Sequence, residues 1–247
     1  MIWIIAGTSE ARELISRIGD RDSFIATIAT EEGLEFISSD NVEVGRMNYR
    51  EMNEFVIVNN ISTIIDMTHP YARVVSENAR NLADEIKIKY IRYIRKKTDK
   101  TGKIGKTVYL KDYEDAYRYI SELSGTVFFT TGSKNIGDFE KLRGDNRFVY
   151  RVLPALESIK ICRSYNISLK DIVAVLGPFS KEYNKAMFYE YKASHVIMKD
   201  SGEKGGTLEK IKACEELSII PVIIGREDEE GIKSLDEIEA IVRKEIE

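Results

Sequence analysis

Short apolar runs alternate with amphipathic stretches along almost the whole chain. Runs this short, rich in Ile and Val, are typical of strands buried on both faces of a parallel sheet. They predict strands at residues 2–6, 24–29, 42–44, 63–66, 90–94, 126–130, 148–152, 172–176, 196–199 and 221–224. Apolar residues at helical spacing predict helices at residues 9–18, 49–58, 72–86, 113–123, 155–165, 181–191, 207–217 and 235–246. This alternation indicates an α/β protein.

One segment interrupts the pattern. RKKTDKTGKIGK, residues 95–106, is basic, poor in apolar residues and carries two glycines. It is a candidate linker, although the same composition suits a mobile loop within one domain. We therefore predict two Rossmann-like parallel-sheet domains with a ligand cleft between them, residues 1–96 and 97–247. The last helix could pack on either domain.

Net charge, apolar run length and cysteine positions exclude some classes of binding partner and cellular location. A net charge of −4 and a pI near 5.5 give no general attraction to nucleic acid or to an anionic membrane. No apolar run approaches the roughly 18 residues that span a bilayer, and the N-terminus lacks the features of a signal peptide. Cys162 and Cys214 stand far from each other and from both histidines. We therefore expect a cytoplasmic protein without a zinc site or disulfide.

Five polar or glycine-bearing junctions follow predicted strands: GTSEAR, DMTHPYA, TTGSKN, LGPFSKE and KDSGEKGGT. Ligands of open parallel sheets bind beyond the C-terminal ends of strands, so these junctions are the candidate sites. In GTSEAR, Gly7 permits a tight turn, and Thr8 or Ser9 can cap the next helix. The segment is not the GxGxxG fingerprint of dinucleotide binding. A capped turn without a ligand remains an alternative.

TTGSKN and KDSGEKGGT combine glycines, hydroxyls and lysines before predicted helices. This composition suits a cradle for phosphate or carboxylate, because backbone N–H groups at a helix start favour anions. Neither segment has the spacing of a Walker A loop. A solvated, flexible loop would have a similar composition.

DMTHPYA places His69 directly after a strand. Pro70 restricts the His69 backbone toward extended conformations and suits the first position of a helix. The alternative is a rigid turn with a partly exposed histidine, whereas His195 begins an apolar strand and is expected to be structural. No nucleophile–base pair, carboxylate dyad or metal-ligand spacing emerges. An enzyme of this sequence would therefore rely on a bound cofactor.

Several segments together resemble one family. GTSEAREL, D-x-THPYA followed by SENA, YIRYIR, FFTTGSKNIGDF, YRVLP, GPFSKEYN and KDSGEKGGTLEKIKACEELSIIPVIIGR are similar to the precorrin-6A and cobalt-precorrin-6A reductases of cobalamin biosynthesis. They occur in the family's order over nearly the whole chain. The resemblance implies NADPH and a tetrapyrrole in the cleft, with hydride transfer to a macrocycle double bond that gives (cobalt-)precorrin-6B. Glu31 and Glu32 depart from this, because an acid after the second Rossmann strand usually favours NAD.

The resemblance and the loop chemistry together assign candidate roles. The expected cofactor-binding residues are Thr131, Gly132, Ser133, Ser201, Gly205, Gly206 and Thr207. The expected substrate-binding residues are Gly7, Thr8, Ser9, Glu10, Arg12, Thr68, His69, Tyr71, Arg73 and Lys199. His69 is also a candidate proton donor, since an unperturbed imidazole titrates near neutrality. Two alternatives stay open: a non-catalytic module that binds an anionic metabolite, and a nicotinamide-dependent reductase of another substrate.

Overall fold

The computed structural model describes residues 1–19, 23–37, 39–95, 106–202, 205–226 and 229–246. Most of the candidate linker, residues 96–105, lies outside the described residues, as do residues 203 and 204 of KDSGEKGGT. The chain forms two compact units. The first contains Met1–Arg95 together with Asp228–Glu247, and the second contains Lys96–Glu227.

Strands and helices alternate along the chain. The strands are β1 (Ile2–Ala6), β2 (Phe24–Ile28), β3 (Val42–Val44), β4 (Thr63–Met67), β5 (Lys89–Arg92), β6 (Val108–Leu110), β7 (Thr126–Phe129), β8 (Arg147–Val152), β9 (Ile172–Ala174), β10 (His195–Lys199) and β11 (Ile220–Ile224). The helices are α1 (Ser9–Ile18), α2 (Tyr49–Val58), α3 (Arg73–Ile86), α4 (Tyr113–Ser121), α5 (Ile136–Glu140), α6 (Leu156–Ser164), α7 (Lys181–Glu190), α8 (Thr207–Glu216) and α9 (Leu235–Ile246). Short 3-10 helices cover Glu31–Phe36 and Leu169–Asp171.

The first unit has a five-stranded sheet in the order β3-β2-β1-β4-β5, and every described pair of neighbours is parallel. Alternate residues of β1 face opposite sides. Ile4 packs in a cluster with residues of α1 and α9, whereas Trp3 packs with residues of α2 and α3. Because helices cover both faces, the strand is apolar at every position, which explains its continuous hydrophobic run.

The last segment of the chain belongs to the first unit. Ile238 and Val242 on α9 are fully buried in the same cluster as Leu14 of α1, and Ile232 forms a parallel bridge with Tyr93 just after β5. This differs from the predicted range 97–247 and matches one of the two placements left open for the last helix. The apolar stripe of α9 determines which face is buried, but it contains no information about the sheet on which that face packs.

The second unit has a six-stranded sheet in the order β6-β11-β10-β7-β8-β9, again with parallel neighbours throughout the described strands. Strands β9-β8-β7-β10-β11 repeat the order of the first sheet, and β6 lies at the edge. Phe128 and Val149 pack with residues of α7 and α8, while Phe129 and Tyr150 pack with residues of α5 and α6.

The predicted fold class, two parallel-sheet α/β domains, is confirmed. The hydrophobic pattern missed β6 and α5, which are only three and five residues long. Each sheet has one point where the chain reverses its direction of travel across the strands: between β1 and β4 in the first unit, and between β7 and β10 in the second. Ligands of open α/β sheets bind at such switch points.

Candidate functional site

Two loops meet at the switch point of the first unit. The side chain of Thr8 caps α1 by accepting a hydrogen bond from the Ala11 N–H at 3.2 Å, and it donates one to the Met67 carbonyl at 3.1 Å. A Cβ atom on Gly7 would lie 3.3 Å from Thr68 Cα. Glycine therefore favours the close approach of the loop after β1 to the loop after β4, because a side chain here would force the Thr68 backbone to shift by a few tenths of an ångström.

A buried ionic network holds the second of these loops. Asp66 accepts hydrogen bonds from the Thr68 N–H at 2.9 Å, Arg92 Nη1 at 2.8 Å and the Tyr90 hydroxyl at 2.7 Å. Arg92 also donates to Thr68 Oγ1 at 2.9 Å and, through Nε, to Glu229 at 2.9 Å. Burial alone would lower the pKa of Arg92, but the charges of Asp66 and Glu229 raise it overall. The network fixes the backbone that leads to His69.

A second buried ion pair lies at the start of α1. The Arg95 guanidinium donates to both carboxylate oxygens of Glu10, with Nε at 2.8 Å from Oε1, and to Ser9 Oγ at 3.0 Å. Burial would raise the pKa of Glu10, but Arg95 and Ser9 lower it overall. The carboxylate of Glu10 is therefore engaged with Arg95, a residue that the sequence pattern had placed in the candidate linker.

His69 lies in a turn that precedes α3. The Ala72 N–H donates to the His69 carbonyl at 2.7 Å, and α3 begins at Arg73. The expectation that Pro70 begins the helix was wrong, because this turn separates it from the first helical residue. His69 Nδ1 accepts a hydrogen bond from the Tyr71 N–H at 3.3 Å, and the two rings stack at 5.6 Å. The neutral imidazole consequently carries its proton on Nε2.

The remaining basic candidates of the first unit are more exposed. The Arg12 guanidinium lies over the Phe36 ring, 5.0 Å from its centre. Arg73 forms an exposed ion pair with Glu77 at 3.8 Å, one turn along α3. Glu31 begins the 3-10 helix after β2 and is exposed to solvent. The loop residues Gly7–Glu10 and Thr68–Tyr71 lie together at the C-terminal ends of the adjacent strands β1 and β4.

The loop after β7 lies at the switch point of the second unit. Thr130 Oγ1 donates to the Ile197 carbonyl at 3.2 Å, which ties the loop to β10. Thr131 Oγ1 is buried and has no hydrogen-bond partner among the residues that the structure describes. Gly132 has a φ of 80°, and no atom lies within 4 Å of the position that a Cβ would take. A buried hydroxyl without a partner beside open space is suited to a polar ligand.

The loop after β10 lies on the other side of the same switch point. Thr207 Oγ1 donates to the Lys199 carbonyl at 3.3 Å and accepts from the Ser201 N–H at 3.1 Å. Gly206 precedes α8 with a φ of 69°, a conformation that favours glycine. Lys199 is the last residue of β10 and belongs to the second unit, whereas the other predicted substrate residues belong to the first unit.

Two cations of the second unit were not predicted from the sequence: the half-buried Arg151 on β8 and the buried Lys210 on α8. Lys210 is only 5% exposed, and burial followed by the charge of Arg151 lowers its pKa to about 7. Burial, aided by the charge of Lys134, lowers the pKa of Lys199 to about 8. The sequence did contain one indication that Lys210 is buried. Helical spacing places it on the same face of α8 as Thr207, Ile211 and Cys214.

Within the described ranges, no group of three or more His, Cys, Asp or Glu side chains is arranged to hold a metal ion. Among the helices of the same ranges, none combines the length and apolar character needed to cross a bilayer.

Comparison with known proteins identifies relatives over the whole length. The cobalt-precorrin-6A reductase of Priestia megaterium is 34% identical, covering 92% of this chain and 90% of its own length. The cobalt-precorrin-6A reductase of Methanocaldococcus jannaschii is 31% identical, covering 98% of this chain and 96% of its own. A solved structure of CobK precorrin-6A reductase has the same fold, with a TM-score of 0.79 at 17% identity over 99% of this chain and 96% of that chain.

The family relationship follows from a match that includes both units. Residues 1–243 match the family described as precorrin-6x reductase CbiJ/CobK. This range contains every candidate loop described above, so the match is not confined to one of the two units. The chain belongs to the precorrin-6x reductase CbiJ/CobK family.

Proposed function

We propose that the protein catalyses the NADPH-dependent reduction of a carbon–carbon double bond in precorrin-6A, or its cobalt form, to give the corresponding precorrin-6B. The observation that carries this proposal is the family match over residues 1–243. The relatives from Priestia megaterium and Methanocaldococcus jannaschii are both named cobalt-precorrin-6A reductase, which favours the cobalt form as the substrate. The non-catalytic alternative has no comparable support.

We place the nicotinamide cofactor at the switch point of the second unit. Thr131, Gly132 and Ser133 would line one side, and Ser201 with Gly205–Thr207 would line the other. The buried hydroxyl of Thr131 and the open space beside Gly132 fit this assignment, since phosphate oxygens accept hydrogen bonds from hydroxyl and backbone N–H groups. When bound, the cofactor supplies a hydride. The chain's own residues orient it and limit access of water.

We place the macrocycle against the loops of the first unit. His69 and Tyr71 offer stacked rings to a flat, conjugated ligand, while Gly7, Thr8, Ser9 and Thr68 supply small or hydroxyl-bearing positions beside them. Arg12 and Arg73 can donate paired hydrogen bonds to peripheral carboxylates. Glu10 acts through Arg95, whose guanidinium it holds in place.

His69 is the candidate proton donor in this arrangement. Reduction requires a proton in addition to the hydride, and His69 would supply it from its imidazolium form, which becomes the neutral ring after the transfer. Solvent can also deliver this proton. We therefore propose that the main role of His69 is to shape the macrocycle site, with Asp66 and Arg92 holding its loop in position.

Anaerobic assays with both forms of the substrate test the proposal. Purified protein is mixed with precorrin-6A or cobalt-precorrin-6A and with NADPH or NADH, and oxidation of the nucleotide is followed by absorbance. We expect NADPH and the cobalt form to give the highest kcat/KM, because a charge-assisted hydrogen bond to the 2′-phosphate contributes about 1.5–3 kcal/mol. Equal kcat/KM with NADH would contradict NADPH specificity, and no oxidation with either substrate would contradict the proposed reaction.

A further inference from the structure

Two cations of the second unit, the half-buried Arg151 and the buried Lys210, lie where three elements meet. Arg151 is the penultimate residue of β8, and Lys210 lies near the start of α8. The loop before α7 completes the surroundings, since a Cβ on Gly206 would lie 3.2 Å from Pro178 Cβ. The burial and the hydrogen bonds of these side chains indicate a binding site that needs a further group, which the protein itself does not supply.

Arg151 has a neutral partner in a fixed orientation. Its Nη1 donates to Asn184 Oδ1 at 2.8 Å, and its guanidinium lies over the Phe179 ring at 5.3 Å. The Asn184 side chain is 1% exposed, and its Nδ2 donates to the carbonyls of Phe179 and Ser180 at 3.1 and 2.8 Å. These two bonds turn the amide oxygen toward Arg151. Burial lowers the pKa of Arg151 to about 10.

Lys210 also has a neutral hydrogen-bond partner. Its Nζ lies 3.4 Å from the Gly205 carbonyl, which uses one of the three ammonium donors. The charges of Arg151 and Lys199 disfavour the protonated form, and the neighbouring charge of Glu209 favours it. Among the described residues, no carboxylate oxygen lies within 4.0 Å of a side-chain nitrogen of Lys210 or Arg151.

Holding a buried ammonium near a half-buried guanidinium without a carboxylate partner costs free energy, because both groups lose hydration and they repel each other. Such an arrangement is stable when a ligand of opposite charge completes it. Gly205 and Gly206 precede α8 without side chains, which leaves room for an anion beside the start of this helix, although the Gly205 N–H itself donates to the Gly202 carbonyl at 3.2 Å.

We infer that Arg151 and Lys210, beside the glycines that precede α8, form a site for one oxyanion group of a ligand. The group is a phosphate of the nucleotide or a carboxylate of the tetrapyrrole, and both have the oxygen geometry that Arg and Lys bind. This inference deepens the proposed function and rests on it for the identity of the two ligands. Neither cation was among the residues singled out from the sequence.

Binding and kinetic measurements on matched variants test the site. Lys210→Met removes the charge and keeps an apolar chain of similar length, and Arg151→Met does the same on β8. Lys212→Met, at an exposed position two residues along α8, is the control. Calorimetry gives the Kd of NADP⁺, steady-state assays give the KM of the tetrapyrrole, and scanning fluorimetry gives the melting temperature of each ligand-free variant.

We expect Lys210→Met and Arg151→Met each to weaken the binding of one ligand by about tenfold or more, which is the effect of losing one charge-assisted hydrogen bond. A higher Kd for NADP⁺ identifies the oxyanion as a nucleotide phosphate, and a higher tetrapyrrole KM identifies it as a carboxylate. Lys210→Arg should retain most of the affinity, and Lys212→Met all of it. Ligand-free Lys210→Met should melt no lower than the parent, because an uncompensated buried charge is gone.

Unchanged Kd and KM in both methionine variants would overturn the inference. If the parent protein shows no turnover, the proposed function fails, and inorganic pyrophosphate then tests the site separately. In that assay a rise in melting temperature that is present in the parent and Lys212→Met but lost in Lys210→Met supports an oxyanion site. An equal rise in all three would contradict it.

Discussion

Single charged residues at the two switch points fall into two groups. Asp66 and Glu10 in the first unit are buried, and Arg92 and Arg95 respectively neutralise them. In the second unit, the half-buried Arg151 and the buried Lys210 have neutral hydrogen-bond partners. The first group is complete without a ligand and positions the loops of the first unit. The second group gains its partner only when an anion binds, so the two groups should respond differently to substitution.

Replacing His69 tests whether this residue shapes the macrocycle site or donates a proton. His69→Asn keeps polarity and approximate size but removes the imidazole, the group that could donate a proton. We expect the Kd of the tetrapyrrole to rise while the rate of NADPH oxidation in a single turnover, at saturating substrate, is mostly retained. A fall of about 100-fold or more in that rate, the usual effect of losing general acid catalysis, would show that His69 donates the proton.

The buried ammonium of Lys210 predicts a pH dependence of stability. Its pKa in the folded protein is lowered to about 7, first by burial and then by the charge of Arg151, from an ordinary value of 10.5. Between these values the unfolded chain binds a proton that the folded chain does not. The ligand-free parent should therefore gain stability relative to Lys210→Met as pH rises from about 7 to about 10. Urea unfolding of both proteins across this range measures it, and parallel profiles would contradict it.

Arg92 tests how strongly the ionic network holds the His69 loop. Arg92→Leu leaves the Asp66 carboxylate buried without its cation, so we expect the free energy of unfolding to fall by about 3–5 kcal/mol. Arg50→Leu is the control, because its ion pair with Glu54 is exposed on α2 and should contribute about 1 kcal/mol or less. Urea unfolding compares them, and equal losses in the two variants would contradict a structural role for the network.

At the scale of elements, local periodicity predicts which face of a helix or strand is buried. It therefore identified β1, α1 and the other long elements, and it placed the candidate loops at strand ends. It could not identify the partner of each face. The pairing of Asp66 with Arg92 depends on the parallel register of β4 and β5, and that of Arg151 with Asn184 depends on how α7 packs on β8. Neither relation is encoded in neighbouring residues.

The contribution of α9 to the first unit can be measured by one substitution. Ile238 is fully buried in the cluster that contains residues of α1 and β1, so Ile238→Ala should lower the free energy of unfolding by about 2–5 kcal/mol. Ile57→Ala on α2 is the matched control, because that side chain is 65% exposed. Similar unfolding curves for the two variants would show that α9 does not contribute to this core.

At the scale of the whole molecule, the two units share one strand order but differ in the chemistry at their switch points. The first presents stacked rings, hydroxyls and a rigid loop, whereas the second presents glycines, the buried Lys210 and a buried hydroxyl that has no hydrogen-bond partner among the described residues. We propose that this difference reflects a division of labour between macrocycle and nucleotide. A family match over both units is consistent with a reaction that requires both ligands.

Isotope transfer tests the central claim most directly. The protein is incubated without oxygen with cobalt-precorrin-6A and NADPH that carries deuterium at both positions of nicotinamide C4, and the product is analysed by mass spectrometry. Hydride transfer predicts a reduced macrocycle that carries one deuterium from the nucleotide and one hydrogen from solvent. A reduced product without deuterium, or an unreduced macrocycle although nucleotide is bound, would contradict the account.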